Sequence, residues 1–292
     1  ADTTIDVASG TTLTLSGIIS GDYSVTKSGS GTLTLSGTNT FNGTVTISTG
    51  TLAISNASAL GTTSGKTTVS DGATLQISGG ITVAENMYVN GSGVSSNGAV
   101  YFLSGNNTYS GAIVLLSNTT MTSAAGNQTF SGTINGAYNL SITAAANWTQ
   151  SAAIGGSSAL ADYSLTATGN VSTNTITANG SIGIDGTDIT ISTGSLTAGS
   201  DEDIILNASG NFINSSGGTA LGVSGTGRWI IYAADDDSST FNSLDSSNTP
   251  LWSATYSTLS PSAVPSGNRY VFAETSSQTV TFTTTDETIT YA

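Results

Sequence analysis

The sequence predicts an all-β protein, a parallel β-helix or β-solenoid with about 20 residues per coil and an aromatic C-terminal cap. Three observations support this prediction: apolar residues alternate over short runs, glycines interrupt the runs, and whole motifs return at a nearly constant interval. The segment Gly31–Ile54 contains three alternating pairs, which are Leu33/Leu35, Val45/Ile47 and Leu52/Ile54. A two-residue period is typical of strands with one buried face.

Motifs recur at intervals close to 20 residues. The motif Leu-Thr-Leu-Ser-Gly begins at Leu13 and Leu33, and related pairs begin at Leu52 and Leu75, so the intervals are 20, 19 and 23 residues. A second motif joins Thr to an aromatic residue, at positions Phe41, Tyr109 and Phe130. A β-sandwich also has strands at short intervals, but it does not explain the return of whole motifs, so the solenoid is the favoured interpretation.

Residues 1–225 are predicted to form the β-helix. In a stack of coils, each strand would hydrogen-bond in parallel to the coils above and below, and Gly31–Ile54 would be slightly more than one coil. Its six paired apolar residues would point inward and form ladders with Leu13, Leu15, Leu75 and Ile77. Full burial of each such side chain stabilises the fold by about 1.5–3 kcal/mol.

The regular pattern weakens in the middle of the chain. The segments Ala84–Tyr101 and Ala144–Ala161 depart from the Leu-Thr-Leu pattern. They are interpreted as coils with inserted loops, and Trp148 and Tyr163 are expected to cover apolar surface in or beside those loops.

The composition changes from about Thr226 onward. Two of the three tryptophans, two of the four basic residues and all three prolines lie after this point. The last coil of a solenoid must be covered, because an open sheet edge recruits other strands. Residues 226–276 are therefore predicted to form an aromatic, proline-containing cap, with Arg228 and Arg269 tying it down. Residues 277–292 are predicted to form a terminal strand that could pair with another subunit or module, because Gln278–Tyr291 returns to strand spacing.

The charge balance argues against several partners. The chain of 292 residues has 4 Lys and Arg, 18 Asp and Glu, no His and a formal net charge of −14. Nucleic acid and anionic lipid are not expected as partners, because both need a concentrated basic surface. No apolar run approaches the roughly 18 residues that cross a bilayer, so membrane insertion is not predicted.

The composition favours an extracellular location, at a bacterial cell surface. Charged residues make up 8% of the chain, against about 25% in an average globular protein, so Thr, Ser, Asn and Gly must cover the surface. Cysteine is absent, so neither disulfides nor thiolate chemistry are expected. The start Ala1-Asp2 is interpreted as a mature end left by cleavage after a small residue.

No catalytic or cofactor-binding residues are predicted. Enzymes that cut acidic polysaccharides on a β-helix need clustered carboxylates with basic partners, or a metal. The four basic residues are scattered along the chain, at Lys27, Lys66, Arg228 and Arg269. A polysaccharide-active β-helix enzyme is therefore the least favoured alternative.

Calcium is the one cofactor for which the chain offers candidate ligands. Ca²⁺ prefers several oxygen ligands, and the candidates in the two acidic clusters are Asp201, Asp203, Asp235 and Asp237. Neither cluster matches an EF-hand or the glycine-rich nonapeptide repeat, and adjacent residues of a strand face opposite ways. Solvated loops without a metal are the favoured interpretation.

Two segments resemble known families of bacterial exoproteins. Gly31–Leu52, reading Gly-Thr-Leu-Thr-Leu-Ser-Gly-Thr-Asn-Thr-Phe-Asn-Gly-Thr-Val-Thr-Ile-Ser-Thr-Gly-Thr-Leu, resembles the autotransporter-associated β-strand repeat of secreted adhesin passenger regions. Gly227–Ala273, with its Arg-Trp-Ile-Ile-Tyr and Asn-Arg-Tyr-Val-Phe runs, resembles the region after the β-helix in filamentous-haemagglutinin-like exoproteins. The resemblance implies a right-handed parallel β-helix, export across the outer membrane and a role in adhesion or biofilm.

Two functional hypotheses follow from these patterns. The first is an extracellular, non-enzymatic β-helix that serves as the stalk or binding surface of a bacterial adhesin and contacts host or matrix ligands. The alternative is a subunit that polymerises head to tail with copies of itself. In that hypothesis the tail Gln278–Tyr291 pairs with the first coil, Ile5–Ile19, of the next molecule.

Overall fold

The computed structural model describes residues 1–275 as a parallel β-solenoid of about 10 turns, with about 22 residues per coil. The predicted fold class is confirmed, with coils slightly longer than the sequence intervals indicated. The predicted terminal strand, residues 277–292, lies outside the described residues. No helix in the described part is long and apolar enough to span a membrane.

Each coil consists of short strands joined by tight corners. The strands are β1 (Thr3–Asp6), β2 (Thr12–Leu15), β3 (Val25–Ser28), β4 (Thr32–Leu35), β5 (Val45–Ile47), β6 (Thr51–Ile54), β7 (Thr67–Val69), β8 (Thr74–Ile77), β9 (Thr82–Val83), β10 (Met87–Gly91), β11 (Val100–Phe102), β12 (Asn107–Tyr109), β13 (Ile113–Ser123), β14 (Gln128–Phe130), β15 (Ile134–Asn135), β16 (Leu140–Ala144), β17 (Trp148–Gln150), β18 (Tyr163–Ala167), β19 (Val171–Thr173), β20 (Ile176–Thr177), β21 (Ile182–Gly186), β22 (Ile189–Ile191), β23 (Leu196–Ser200), β24 (Ile204–Ala208), β25 (Phe212–Asn214), β26 (Leu221–Ser224), β27 (Trp229–Ala233) and β28 (Arg269–Phe272). Within residues 1–275, 3₁₀ turns occur at Val94–Ser96 and Pro261–Ala263.

The strands stack into three sheets around one interior. The first sheet runs through β1, β3, β5, β7, β10, β13 and β15 and then, after a bridge at Ile154, through β20, β23 and β26. The second sheet contains β2, β4, β6, β8, β11, β13, β16, β18, β21, β24, β27 and β28. The third contains β9, β12, β14, β17, β19, β22 and β25. β13 is long enough to pair with strands of both the first and the second sheet.

The predicted apolar ladders form the core. In the second sheet, Leu13 pairs with Leu33, then Leu52, then Leu75 in parallel register. All of these residues are buried except Leu13. Leu13 lies on β2 in the first described coil, which has a neighbouring coil on one side only.

Glycines line the corner where the third sheet passes to the first. A Cβ added to Gly132 would lie 1.9 Å from the carbonyl oxygen of Gly111, and one added to Gly111 would lie 2.0 Å from that of Glu85. Both distances are far below van der Waals contact, so the coils can approach this closely only without side chains. Glu85 lies in this column between Gly65 and Gly111, and it is buried.

A second corner is filled by buried amides. Asn107 and Gln128 pair in register on β12 and β14, and the Asn107 Nδ2 donates to Gln128 Oε1 at 3.2 Å. Gln128 Nε2 also donates to the carbonyls of Gly105, Ala125 and Gly126. These amides satisfy carbonyl groups of a corner that would otherwise be buried without donors.

Trp148 and Tyr163 lie inside the coils. Trp148 begins β17, Tyr163 begins β18, and both are buried in the core. The expectation that they cover apolar surface in or beside inserted loops is wrong, because both side chains point into the core from strands. In the next coil, a smaller residue occupies the same ladder position. The partners in that coil are Val171 and Ile182.

Aromatic residues near the C-terminus pack over the last coil. β27 still belongs to the second sheet, since Trp229–Ala233 pairs with β24, and β28 adds one further strand. Phe241 packs on Tyr270, with ring centroids 4.5 Å apart, and Trp252 packs on Phe272 at 4.8 Å. The segment between β27 and β28 therefore closes the interior with rings.

Candidate functional site

Asp201 and Asp203 hold the loop that precedes β27. Asp201 Oδ1 accepts hydrogen bonds from the Thr226 backbone N, at 2.7 Å, and from the Thr226 hydroxyl, at 3.0 Å. These bonds lower the pKa of Asp201 because they favour the ionised carboxylate. Asp203 Oδ1 accepts from the backbone N of Arg228 at 3.0 Å, and its Oδ2 lies 3.5 Å from the Arg228 Nε.

Asp235 and Asp237 lie after β27. Asp235 Oδ1 accepts hydrogen bonds from the hydroxyl and, at 2.7 Å, the backbone N of Ser238, and these bonds lower the pKa of Asp235. Asp237 is exposed. Within residues 1–275, no group of three or more His, Cys, Asp or Glu side chains is placed to hold a metal ion. Calcium binding therefore stays a prediction from sequence, while three of its four candidate ligands are used to organise loops.

The two arginines tie down the cap, as predicted. Arg228 donates from Nη1 to the carbonyls of Val264 and Pro265, both at 2.8 Å, and from Nη2 to that of Pro261 at 2.7 Å. Arg269 donates to the Thr249 carbonyl at 3.1 Å. Both guanidinium groups thus donate to backbone carbonyls of the segment between β27 and β28.

The two lysines are also engaged within the solenoid. Lys27 is buried, and its Nζ donates to the carbonyls of Ser28, Gly29 and Thr49 at 2.8, 2.7 and 3.1 Å. Burial lowers the pKa of Lys27. Lys66 lies over the ring of Tyr88, 5.2 Å from its centroid. In the described part of the chain, Arg228–Asp203 is the one ion pair within 4 Å.

A groove crosses the outer surface of the second sheet beside the cap. Its floor is a column of outward side chains in register on β18, β21, β24 and β27, namely Thr166, Asp185, Asn207 and Tyr232. Two cavities of about 260 and 250 Å³ line this column, and they meet at Asn207 and Tyr256. We call this feature the cap groove.

Tyr256 forms the wall of the cap groove and contacts Tyr232. Its side chain is 43% exposed, and its ring lies edge-on to Tyr232 with centroids 5.3 Å apart. The Tyr232 hydroxyl donates to the Leu259 carbonyl at 2.8 Å, and the Leu259 N donates back to Thr255 at 2.8 Å. The turn that carries Tyr256 is therefore closed between Thr255 and Leu259 and anchored to β27 through Leu259.

The cap groove was not predicted from the sequence. Its floor residues lie in four coils at unequal intervals, and its wall comes from the segment after β27. Only the register between strands brings these residues together. The clue available in the sequence was Tyr256 itself, an aromatic residue among Ser and Thr in a segment rich in rings.

The first coil carries a second exposed feature, which we call the first-coil edge. It consists of the exposed apolar side chains Leu13, Ile18 and Tyr23. Beside them is a cavity of about 230 Å³ lined by Ile5, Leu15 and Ile19, among others. In the described residues, β1 and β2 pair with a strand on one side only.

Comparison with known families identifies the repeat. The family model of the passenger-associated transport repeat matches residues 25–54 and 101–117. The first match spans β3 to β6, and the second contains β12 and the start of β13. The searches of curated proteins and of solved structures returned no match. The chain is thus a parallel β-solenoid that contains passenger-associated transport repeats, which confirms the predicted resemblance to autotransporter passenger repeats.

Proposed function

We propose that this chain is an extracellular, non-enzymatic β-solenoid that forms the structural and adhesive part of a bacterial surface protein. One observation carries the proposal: the passenger-associated repeats coincide with stacked coils whose apolar ladders are in register. At about 4.8 Å per coil, about 10 turns form a rod roughly 50 Å long. A rod of this kind offers side faces for contact with a host surface or matrix.

The outer surface supports an adhesive role. Threonines occupy successive outward positions on the first sheet, for example Thr26, Thr46 and Thr68 on β3, β5 and β7. Hydroxyl groups can donate and accept hydrogen bonds without a net charge. The Arg228–Asp203 pair, the one ion pair in the described part of the chain, holds the cap and so lends no support to the enzyme alternative.

Display on a non-adherent laboratory bacterium tests this proposal. The chain would be fused to an outer-membrane carrier, and attachment to glass, polystyrene and matrix-coated wells would be counted. We expect several-fold more attached cells than with the carrier alone. The control is the same fusion with Gly132→Val, which is expected to disrupt the coil contact at Gly111 and reduce attachment. Equal attachment by the intact fusion and the bare carrier would contradict the adhesive role.

The first-coil edge supports head-to-tail assembly as a second candidate function. Unpaired strands with neighbouring apolar side chains are a template for pairing with another chain. Ile18, 71% exposed, is the most exposed large apolar residue of this edge. A contact between one such edge and a different surface of the next copy is heterologous, and a heterologous contact that does not close builds a fibre.

For assembly, we expect the purified chain to form concentration-dependent oligomers that Ile18→Asp weakens. Light scattering and negative-stain electron microscopy measure the size and shape of the particles. Leu116→Asp is the matched control, because Leu116 is 45% exposed but lies in the middle of the solenoid on β13. A strictly monomeric intact chain would exclude polymerisation. Fibres that persist after deletion of residues 278–292 would exclude pairing through the tail.

A further inference from the structure

We infer that the cap groove is a binding site for a neutral saccharide. The inference rests on the proposed adhesive function and names its ligand class. The exposed ring, the unpaired polar groups, the charge of the lining and the open floor of the groove support this ligand class.

The exposed ring of Tyr256 provides an apolar platform. A pyranose ring has one face of C–H groups and a rim of hydroxyls, so it pairs well with an aromatic face flanked by hydrogen-bonding groups. Tyrosine combines a large apolar surface with a polar tip, and few rotamers are lost on binding. The contact with Tyr232 and the hydrogen-bonded turn at Thr255–Leu259 place the Tyr256 ring at the wall of the groove, where one face can receive a sugar ring.

Asp185 and Asn207 provide the hydrogen-bonding groups. Neither side chain makes a hydrogen bond within the described part of the chain, and both are only half-buried. They are register partners on adjacent coils, so their backbones are about 4.8 Å apart. A carboxylate accepts from two hydroxyls, and an amide both donates and accepts. This pair therefore suits the alternating donors and acceptors of neighbouring sugar hydroxyls.

The charge of the lining selects against anionic ligands. None of the four basic residues lines the cavities of the cap groove, while Asp185 contributes a carboxylate to it. Sulfated or uronic acid polymers would be repelled by this carboxylate and by the net charge of −14. An extended peptide cannot add to the sheet here, because β24 already pairs with β21 and β27.

Gly183 opens the floor of the groove. It lies between Ser164 and Ile205 in the neighbouring outward column, and a Cβ added there would meet nothing within 4 Å. A larger side chain can thus be accommodated by the fold while it fills space in the groove. This position provides a way to block the site without removing any of its polar groups.

Affinity electrophoresis of the purified full chain tests the inference. The probes are four neutral polysaccharides, a glucan, a galactan, a mannan and a xylan, with the anionic polysaccharides alginate and heparin as the competing ligand class. We expect retardation by at least one neutral polysaccharide and by neither anionic one. Tyr256→Ala is expected to weaken that binding about tenfold, and Gly183→Val is expected to abolish it at the same concentrations.

The control is Tyr138→Ala, which removes a tyrosine that is 40% exposed elsewhere on the solenoid and is expected to leave binding unchanged. Circular dichroism and melting temperature check that each variant is folded. Absence of retardation by all four neutral polysaccharides would overturn the inference, as would binding that resists both Tyr256→Ala and Gly183→Val. Binding by the purified chain without cell attachment would instead contradict only the adhesive function.

Discussion

Replacing Trp148 by alanine is expected to lower the free energy of unfolding by about 3–5 kcal/mol, the usual cost of truncating a large buried aromatic residue. Trp148 is buried at the start of β17, and its ring stacks on Phe130 of the preceding coil with centroids 4.6 Å apart and planes at 23°. Phe130 in turn packs edge-on to Phe102 at 5.6 Å. The substitution therefore leaves a cavity between coils that share a column of rings.

Urea denaturation, monitored by far-ultraviolet circular dichroism, measures this loss of unfolding free energy. The control is Thr149→Ala at the next position of β17, where the side chain is half-buried and faces the outer surface. We expect the control to change the free energy of unfolding by about 0.5 kcal/mol or less. Because solenoids are stabilised by contacts between neighbouring coils, a loss at Trp148 no larger than at Thr149 would show that the ring does not couple its coil to the one before.

The core of the first coils could be predicted because two simple regularities agree there. The two-residue period assigns Leu33 and Leu35 to the inner face, and the near-constant interval places Leu52 and Leu75 on the same ladder. A slip of one residue would expose the whole apolar set. Register is therefore encoded locally in this part of the chain.

The middle coils could not be predicted in the same way. Trp148 and Tyr163 occupy inward positions, but their register partners Val171 and Ile182 differ from them in size and chemical type. When the residues of a ladder differ in type and lie at unequal intervals, a single sequence shows no repeat that would reveal the ladder. The space for each ring is provided by its neighbours in three dimensions.

The candidate site could be predicted from the sequence even less than the middle coils, because the fold brings its residues together. The roles of Arg228 and Arg269 in the cap could be predicted, because the carbonyl acceptors lie in the same segment as the arginines. The cap groove could not, since Asp185 and Asn207 meet only through the stacking of β21 on β24. Tyr256 reaches them only because its turn is anchored to Tyr232.

A second large effect on stability is expected at Glu85. This acidic residue lies in the glycine corner, the column of Gly65, Gly111 and Gly132 where the third sheet passes to the first. Its side chain is 3% exposed, and its Oε1 has no hydrogen-bond partner in the described part of the chain. Burial raises the pKa of Glu85 from 4.5 to about 7, because a desolvated carboxylate is costly in its charged form. Its backbone carbonyl accepts from the Tyr109 hydroxyl, and burial, together with the charge of Glu85, raises the pKa of Tyr109, so this donor keeps its proton.

The sign of the pH effect follows from this pKa. In the unfolded chain Glu85 ionises near pH 4.5, while in the folded chain it keeps its proton until about pH 7. Between these values the folded state binds more protons, so stability falls as the pH rises through this window and then stays low. At about 1.4 kcal/mol per pKa unit, the full loss above pH 7 is about 3 kcal/mol.

Glu85→Gln is therefore expected to stabilise the protein by up to about 3 kcal/mol at pH 8 and to change its stability little at pH 4. Urea denaturation at pH 4, 5, 6, 7 and 8 measures the free energy of unfolding of the original protein and of the variant. In the difference between the two, the titration of the other carboxylates cancels. Glu202→Gln, which removes an exposed carboxylate, is the matched control. A difference at Glu85 that does not grow between pH 4.5 and 7 would mean that this carboxylate ionises freely in the folded protein. Its place in the glycine corner would then carry no electrostatic cost, and the corner would have to open enough to admit water.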